Sequence, residues 1–524
     1  MLATRLQFEL PKNSRPIDLI DDLTTETKFV RDRDLEFTRY FLDTFDWRLF
    51  NQGFLLVCDF LNGAIRTTWQ SCETAEILGV MLSEKVPEFV DDFPTGRIQR
   101  ILEPILEMRA LLAQSKLQCQ QHRLHLKNKQ NKIVLRLSIE SCATEDRNGD
   151  TKKLSSRVYL DPVRGYDKAF SEVSALLKER LDLQPPANNL LVSALSRVGR
   201  YPRDYTSKFD LRLEPSMRAD SAIRIILRQL FSTLERNEDG TLNDTDSEFL
   251  HDFRVAVRRT RALLGQSHDI LSEDTLKLFT REFAWLNRVT GPTRDLDVYL
   301  LNLSGYKNQL PVSIRDDLEP LAEFLKNKQK MAHSELVKEL KSKRYAELKR
   351  EWKKVLAKSI AESPKEILAA RRVTQVADAK ITTVSKQIRK KGQLITSETP
   401  AARLHRLRIH CKKLRYLIEF FGSLYPEKQI RRLIKSLKTL QDNLGTFQDL
   451  EVQEKALKEY STEMMESKNP ARTLLAIGVL VQELEKKREA VRAEFMQRYA
   501  DFDSADNRKL FQSLFDREEE DRKG

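Results

Sequence analysis

Long hydrophobic runs are absent from this sequence of 524 residues. The longest, residues 54–58 and 474–481, are far shorter than the ~20 apolar residues that a membrane-spanning helix requires. Residues 1–11 alternate polar and apolar side chains and lack the apolar core of a signal peptide. The five cysteines form no C-x-x-C pair, and their odd number leaves at least one unpaired. We therefore expect a soluble protein of the reducing cytoplasm that spans no membrane.

Glycine and proline are also scarce, with 16 and 17 residues, whereas charged residues make up 32% of the chain. Such a composition is typical of a largely helical protein. The 91 lysines and arginines exceed the 78 acidic residues, which gives a formal net charge of +13. A basic excess of this size favours a polyanionic partner, such as nucleic acid, a phosphate polymer or an acidic membrane surface.

Residues 250–261 read L-H-D-F-R-V-A-V-R-R-T-R and form the first of two basic motifs. Because neighbouring like charges repel each other, a narrow basic stripe on a helix indicates an anion that binds along it. A solvated helix face is the alternative interpretation of one such stripe. Thr245 or Asp246 is expected to cap this helix, and Gly240 to end the helix before it. Four basic side chains of the motif fall within an arc of about 80° on a helix: His251, Arg254, Arg258 and Arg261.

The same pattern returns 154 positions later (405 − 251), where residues 404–415 read L-H-R-L-R-I-H-C-K-K-L-R. A second motif repeats at that offset, because L-N-R-V-T-G-P-T-R-D-L-D-V at 286–298 matches L-Q-D-N-L-G-T-F-Q-D-L-E-V at 440–452. Two motifs that share one offset indicate an internal duplication rather than chance. The duplication predicts two antiparallel helical bundles related by pseudo-twofold symmetry.

The first two hundred residues differ in composition, with short alternating runs that end at turn residues and predict strands. Two prolines and no lasting periodicity make residues 201–216 the predicted linker. We therefore predict an α+β domain with an antiparallel, barrel-like sheet over residues 1–200. An all-α domain of two pseudo-symmetric helical bundles is predicted over residues 217–520. The predicted strands cover residues 5–10, 37–42, 53–60, 121–126, 132–139 and 156–160.

The stretch R-Y-F-L-D-T-F-D-W-R-L-F-N-Q-G at residues 39–53 resembles the second-strand region of the CYTH family, the triphosphate tunnel metalloenzymes. That resemblance implies a tunnel in which the carboxylates of an E-x-E-x-K strand hold a divalent metal. The corresponding strand here runs from Gln7 through Glu9 to Pro11, so one carboxylate is an amide and the lysine is a proline. The acidic pair expected on a late strand is reduced to Tyr159 and Asp161.

These departures affect catalysis, because phosphoryl transfer relies on metal ions and cations to neutralise charge on the phosphate. We therefore expect a scaffold without an active site and without a metal or cofactor. His122 and His125 fall on opposite faces of a strand, and no Cys, Asp or Glu near them in sequence completes a metal site. The alternative is a diverged phosphatase that uses Glu9, Arg39, Arg109 and Asp161.

The four repeated motifs together resemble the CHAD family, the conserved-histidine α-helical domains, from about Met217 to the C-terminus. That resemblance implies two four-helix bundles around a basic channel that binds inorganic polyphosphate. It also implies a known pairing, since a CYTH-like domain precedes the CHAD domain in some members. Polyphosphate displays no bases, so its binder needs many cations on rigid helices and no aromatic stacking platform.

We therefore predict a non-catalytic protein that binds inorganic polyphosphate in a basic groove between the bundles, with polyphosphate granules as an expected location. One alternative is a CYTH-type, metal-dependent inorganic triphosphatase with a CHAD targeting module. Another is an RNA- or DNA-binding protein, although Tyr416 is the only aromatic residue beside the basic ones. The predicted polyphosphate-binding residues are His251, Arg254, Arg258, Arg259, Arg261, Arg294, His405, Arg408, Lys412, Lys413 and Arg415. His251 and His405 either donate to phosphate or have a structural role, bonded to Asp295 or Asp449.

Overall fold

The computed structural model describes residues 5–11, 14–61, 63–146, 148–358, 364–466 and 470–516. The chain divides into two compact units, Met1–Ser207 and Lys208–Gly524. The predicted fold class is confirmed, because a curled antiparallel sheet is followed by a helical region. The predicted domain bounds stay a prediction, and their outer ends, residues 1 and 520, lie outside the described residues.

One antiparallel sheet organises the first unit. Successive side chains of a strand point to opposite faces, and buried apolar residues lie on both faces of this sheet. The strands follow the order β1-β10-β8-β7-β3-β4-β5-β6, while β2 pairs with β7 and β9 with β8. The strands are β1 (Leu6–Glu9), β2 (Phe29–Arg31), β3 (Leu35–Asp43), β4 (Phe54–Leu61), β5 (Ala64–Ser71), β6 (Ile77–Ser83), β7 (Leu112–Lys127), β8 (Ile133–Glu145), β9 (Thr151–Lys153) and β10 (Arg157–Pro162).

All six runs predicted as strands lie in strands of this sheet, whereas β2, β5, β6 and β9 were not predicted. Short helices cover the sheet. Leu102 and Leu106 pack against one side of β4, and Leu191 and Leu195 pack against the other. The helices of this unit are α1 (Pro16–Glu26), α2 (Arg48–Asn51), α3 (Arg97–Leu106), α4 (Asp167–Ala175) and α5 (Leu190–Arg197).

The second unit is helical, and none of its described helices combines the length and the apolar composition needed to cross a membrane. Apolar side chains at helical spacing pack the helices around shared cores. The helices are α6 (Ala219–Leu242), α7 (Ser247–Leu264), α8 (Glu273–Val289), α9 (Gly291–Leu301), α10 (Leu303–Gln309), α11 (Glu319–Leu340), α12 (Lys343–Ala357), α13 (Val373–Gly392), α14 (Ala401–Phe421), α15 (Glu427–Met464), α16 (Ala471–Phe502) and α17 (Ala505–Phe515).

The duplication is visible in where the helices begin. Helices α6 and α13, α7 and α14, and α8 and α15 start at positions that lie 154 residues apart (373 − 219, 401 − 247 and 427 − 273). The two repeats differ at one place, because α8 and α9 are interrupted at Thr290 whereas α15 continues for 38 residues. Pro292 at the start of α9 accounts for the interruption, since proline lacks an N–H donor and its ring clashes with the preceding turn. The equivalent residue in α15 is Thr446.

The expectation that Gly240 ends a helix is wrong, because α6 continues to Leu242. A Cβ atom at Gly240 would overlap the ring of Phe249 on α7. The glycine therefore leaves room for the ring of Phe249 where α7 packs against α6. It is not a left-handed cap. The expected cap of α7 is confirmed at Asp246, whose carboxylate accepts hydrogen bonds from the backbone N–H groups of Glu248 (2.9 Å) and Phe249 (3.2 Å).

Candidate anion-binding site

Helix α7 carries the first basic motif on the side opposite its buried face. Phe253, Ala256 and Val257 are buried in the helical core. This phase leaves Arg258 half-buried and Arg261 exposed. Neither of these two arginines forms an ion pair or a hydrogen bond with a described residue.

Arg254 and Arg408, which are equivalent in the two repeats, lie deepest in the stripe. The Nη1 atom of Arg254 donates to the carbonyl oxygen of Asn287 (3.0 Å) and to Oγ1 of Thr290 (2.8 Å). Burial, together with repulsion from Arg258, lowers the pKa of Arg254 to about 10. Arg408 instead donates through Nη2 to Oδ1 of Asp449 (3.1 Å).

The two basic stripes come together where Arg258 on α7 lies near enough to Lys412 on α14 to repel it, and these are equivalent residues of the two repeats. Burial, together with repulsion from Arg408, Arg258 and Arg415, lowers the pKa of Lys412 to about 8 against the opposing effect of Asp449. Residues that meet their own equivalents lie at the axis of a twofold arrangement. We name Arg254, Arg258, Arg408, Lys412 and Arg415 the inter-repeat cluster. Within the described chain, Lys412 has no carboxylate at ion-pair distance.

Two members of the predicted set share one carboxylate. Glu419 accepts from Nη2 of Arg259 (3.0 Å) through one oxygen and from Nε of Arg415 (2.6 Å) through the other. The Arg259 guanidinium also lies over the ring of Phe209, 5.7 Å from its centre. Arg259 therefore joins α7 to α14 by an internal ion pair instead of facing the inter-repeat cluster. Arg415 acts on Lys412 but is partly neutralised.

The histidines have partners other than the expected aspartates. The Nη2 atom of Arg294 donates to Nδ1 of His251 (3.0 Å), and its Nη1 donates to the carbonyl oxygen of Ser247 (2.9 Å). In the second repeat, Nδ1 of His405 lies 2.6 Å from Oε1 of Gln448, which occupies the position of Arg294. Because a carbonyl oxygen only accepts, Nδ1 of His405 is the donor. Arg294 and Gln448 are therefore the hydrogen-bond partners of Nδ1 in the two rings.

Lys413 points away from the inter-repeat cluster. It is one residue beyond Lys412, about 100° around the helix. Burial lowers its pKa, and repulsion from Lys391 on α13 adds to that effect. Lys413 and Arg259 therefore lie outside the inter-repeat cluster, whereas their sequence neighbours Lys412 and Arg258 belong to it.

The first unit holds a cavity of about 540 Å³ inside the curled sheet. Burial raises the pKa of Asp161 on β10, and Arg66 on β5 is among the cations that oppose this rise. Four strands separate β10 from β5 in the sheet order. Asp161 and Arg66 can interact because the sheet curls and brings these two strands toward each other. Gln7, Arg39 and Tyr159 also line the cavity, as the tunnel resemblance implies.

Carboxylates neutralise two of the arginines that line this cavity, Arg39 and Arg5. Arg39 donates through Nε to Oδ1 of Asp59 (2.7 Å) and through Nη1 to Oε2 of Glu140 (2.7 Å). Arg5 forms an ion pair with Asp161 (3.1 Å). Sequence reasoning missed Asp59 and Glu140, because their link to Arg39 runs across strands β4, β3, β7 and β8 and has no short-range signal.

The residues named for a diverged phosphatase do not come together. Arg39 and Asp161 line the cavity, whereas Glu9 lies 3.7 Å from Arg157 and Arg109 is 1% exposed beside Asp46. The cavity does not fit a divalent metal, because Arg5 and Arg39 already bind its carboxylates. The described residues contain no group of three His, Cys, Asp or Glu side chains that could hold an ion.

The two strand histidines do have acidic neighbours, contrary to the reading of the sequence. Nδ1 of His122 lies 2.9 Å from Oδ2 of Asp34, and Nδ1 of His125 lies 3.1 Å from Oδ2 of Asp32. The segment between β2 and β3 supplies both carboxylates, so they are distant in sequence and near in space. The histidines form two separate pairs rather than one site.

Comparison with known proteins identifies the helical unit. Residues 225–458 match the family model described as the CHAD domain, so the predicted resemblance is confirmed over this part of the helical unit. The crystal structure of the CHAD domain from the plant Ricinus communis is 24% identical in sequence, with a TM-score of 0.46. The similarity covers 55% of this chain and 96% of that chain. No curated protein matches the chain at the required significance.

Two further solved structures are similar over a smaller share of the chain. A protein from Bacillus halodurans, described as a candidate adenylate cyclase, is 14% identical, with a TM-score of 0.27, and covers 36% of this chain and 95% of its own. A protein from Hippeastrum, described as a candidate adenylyl cyclase with a dominant triphosphatase activity, is 15% identical, with a TM-score of 0.26. That similarity covers 38% of this chain and 99% of the Hippeastrum protein.

Proposed function

We propose that this protein binds inorganic polyphosphate, without catalysis, at the inter-repeat cluster. The observation that carries the proposal is the meeting of Arg258 and Lys412, two equivalent cations with no ion pair in the described chain. Placing them together costs free energy through repulsion and burial, and a bound polyanion would offset that cost. The CHAD domain match over residues 225–458 supports the same ligand through the family resemblance.

The chemistry of the cluster suits a chain of phosphates. Arginine offers forked contacts to phosphate oxygens, and lysine adds a mobile point charge. The side chains stand on α7 and α14, whose buried faces hold them in place, so little ordering is needed on binding. Arg254 and Arg408 form the floor, and exposed Arg261 extends the cluster at one end. Association with polyphosphate granules in the cytoplasm follows from such binding and is part of the proposal.

Charge reversal at the centre of the cluster tests the proposal. We expect Arg258→Glu combined with Lys412→Glu to weaken binding of long-chain polyphosphate at least about 100-fold, because each charged contact contributes about 1.5–3 kcal/mol. The measurement is isothermal titration calorimetry with purified full-length protein. Lys386→Glu combined with Lys390→Glu is the matched control, since both lysines are exposed on α13 and the change in net charge is the same. Equal losses in the two variants would contradict a specific site.

The same protein separates the alternative functions. Phosphate release from tripolyphosphate that requires Mg²⁺ or Mn²⁺ and is lost in Glu140→Gln would favour a triphosphatase, whereas we expect no release. Competition between polyphosphate and RNA for the wild-type protein tests the nucleic-acid alternative. We expect polyphosphate to displace RNA, because aromatic stacking contributes much of single-strand binding and Phe253, the one aromatic residue within the two basic motifs, is buried in the core.

A further inference from the structure

A second group of cations lies between α13 and α14, next to the inter-repeat cluster on the other side of Lys412. The Nζ atom of Lys391 on α13 is 2.8 Å from Nε2 of His410 on α14. Lys413 on α14 repels Lys391, and Lys380 on α13 is repelled by Lys413 in turn. We name Lys380, Lys391, His410 and Lys413 the outer cluster.

The hydrogen bonds of His410 fix its protonation pattern. Its Nδ1 atom lies 2.8 Å from the carbonyl oxygen of Arg406, which only accepts, so Nδ1 carries the proton. Nε2 is then the acceptor for the ammonium group of Lys391. The ring therefore orients Lys391 toward α14 without neutralising its charge.

Little negative charge compensates the outer cluster. Burial lowers the pKa of Lys413, and repulsion from Lys391 adds to it. Burial also lowers the pKa of Lys380, with repulsion from Lys413, and Asp269 is the one carboxylate that acts in the opposite direction. None of the three lysines forms an ion pair with a described residue. Crowded, poorly compensated ammonium groups are the arrangement that an anion stabilises.

The duplicated fold does not require this cluster, because the first repeat lacks it. The residues equivalent to Lys380, Lys391 and His410 are Ile226, Asn237 and Ala256, all of which are buried. Arg259, the residue equivalent to Lys413, forms an ion pair with Glu419. The outer cluster is therefore a property of the second repeat alone.

We infer that the outer cluster is a second anion site that holds a further stretch of the polyphosphate chain bound at the inter-repeat cluster. The inference rests on the proposed function and extends it to a specific path for the polymer. Lys412 and Lys413 are consecutive on α14, so a chain that leaves the inter-repeat cluster reaches the outer one by passing around a single helix, roughly 10 Å wide. Two linked sites raise the affinity for a chain long enough to occupy both, and a short chain gains nothing from the second site.

Comparison of chain lengths tests the inference. The probes are tripolyphosphate, too short to occupy both clusters, and a chain of about one hundred phosphates, titrated calorimetrically into the wild type and into Lys391→Glu combined with Lys413→Glu. We expect the variant to bind the long chain roughly tenfold or more weakly and the short chain within about twofold of wild type. The control is again Lys386→Glu combined with Lys390→Glu, which carries the same change in charge on exposed positions.

The outcomes are distinct. An unchanged affinity for the long chain, or an equal loss in the control, overturns the outer site while the proposed function stands. Loss of RNA binding with full retention of polyphosphate binding also overturns it, in favour of a nucleic-acid surface. If the wild type binds neither chain, the proposed function itself fails. Lys391→Gln combined with Lys413→Gln, a milder change checked by circular dichroism, guards against a folding defect and should lose long-chain affinity in the same direction.

Discussion

The half-barrel unit and the helical unit both gather arginines, but they treat the charge in opposite ways. In the half-barrel, Arg39 is nearly buried and binds two carboxylates, Asp59 and Glu140. In the helical unit, Arg258 and Lys412 lie half-buried beside each other without such partners. In the half-barrel, carboxylates balance the charge of a nearly buried arginine, whereas the half-exposed cations of the helical unit tolerate repulsion that a ligand relieves. The carboxylates around an arginine, rather than the arginine itself, distinguish a structural charge from a binding charge.

The largest expected effect comes from removing the paired arginine of the half-barrel. Arg39→Ala leaves Asp59 and Glu140 buried without their cation, which should destabilise the half-barrel by about 3–5 kcal/mol. The measurement is urea unfolding followed by circular dichroism. Arg66→Ala is the control, because Arg66 lines the same cavity but is exposed and without an ion pair in the described chain. Similar losses in both variants would show that Arg39 is not a structural charge.

A smaller effect concerns the unpaired side and depends on pH. The pKa of Lys412 is about 8 in the free protein, and a bound phosphate raises this pKa because it favours the charged ammonium. Above pH 8, binding of polyphosphate therefore requires Lys412 to take up a proton. Affinity for polyphosphate should therefore fall by up to roughly tenfold between about pH 7 and pH 9. Lys412→Arg remains charged throughout and should remove this fall in calorimetric titrations. The same pH dependence in both proteins would assign the effect to another group.

The smallest expected effect comes from removing a carboxylate at the edge of the inter-repeat cluster. Asp449 accepts a hydrogen bond from Arg408 at the edge of the inter-repeat cluster, and its side chain is 63% exposed. Asp449→Asn should raise the affinity for polyphosphate about two- to fivefold, since exposed ion pairs are worth up to about 1 kcal/mol. Calorimetry at low salt measures the gain. Asp442→Asn, an exposed change on the same helix, should leave the affinity unaltered.

Much of the helical unit was predictable because its information is local and duplicated. The offset of 154 residues between the basic motifs also separates Ser247 and Ala401, where α7 and α14 begin in the structure. The direction of side chains was less accessible. Sequence neighbours such as Lys412 and Lys413 diverge by a fraction of a helical turn, and the contact of His251 with Arg294 was not predicted. One residue of helical phase decides such contacts, and helix periodicity alone does not fix it.

The half-barrel was less predictable, because its decisive contacts join distant strands. The alternating runs predicted six strands, but β5 and β6 carry alternation too weak to be recognised. The partners of Arg39 come from β4 and β8, so no spacing in the sequence relates them. The alternative of a diverged phosphatase grouped Glu9 with Arg39, yet Glu9 lies near Arg157 and does not line the cavity. Pairing across a curled sheet is set by the register of every strand between the partners.

The meeting of Arg258 with Lys412 has a consequence for the direction of the ligand. A site built on a local twofold offers nearly the same groups to a polymer whichever end enters first. Inorganic polyphosphate reads the same from both ends, so it has two equivalent orientations in such a site. A nucleic-acid strand runs from 5′ to 3′ and would have to satisfy one half of the site backwards. The symmetry of the fold thus discriminates between polyanions before any individual contact does.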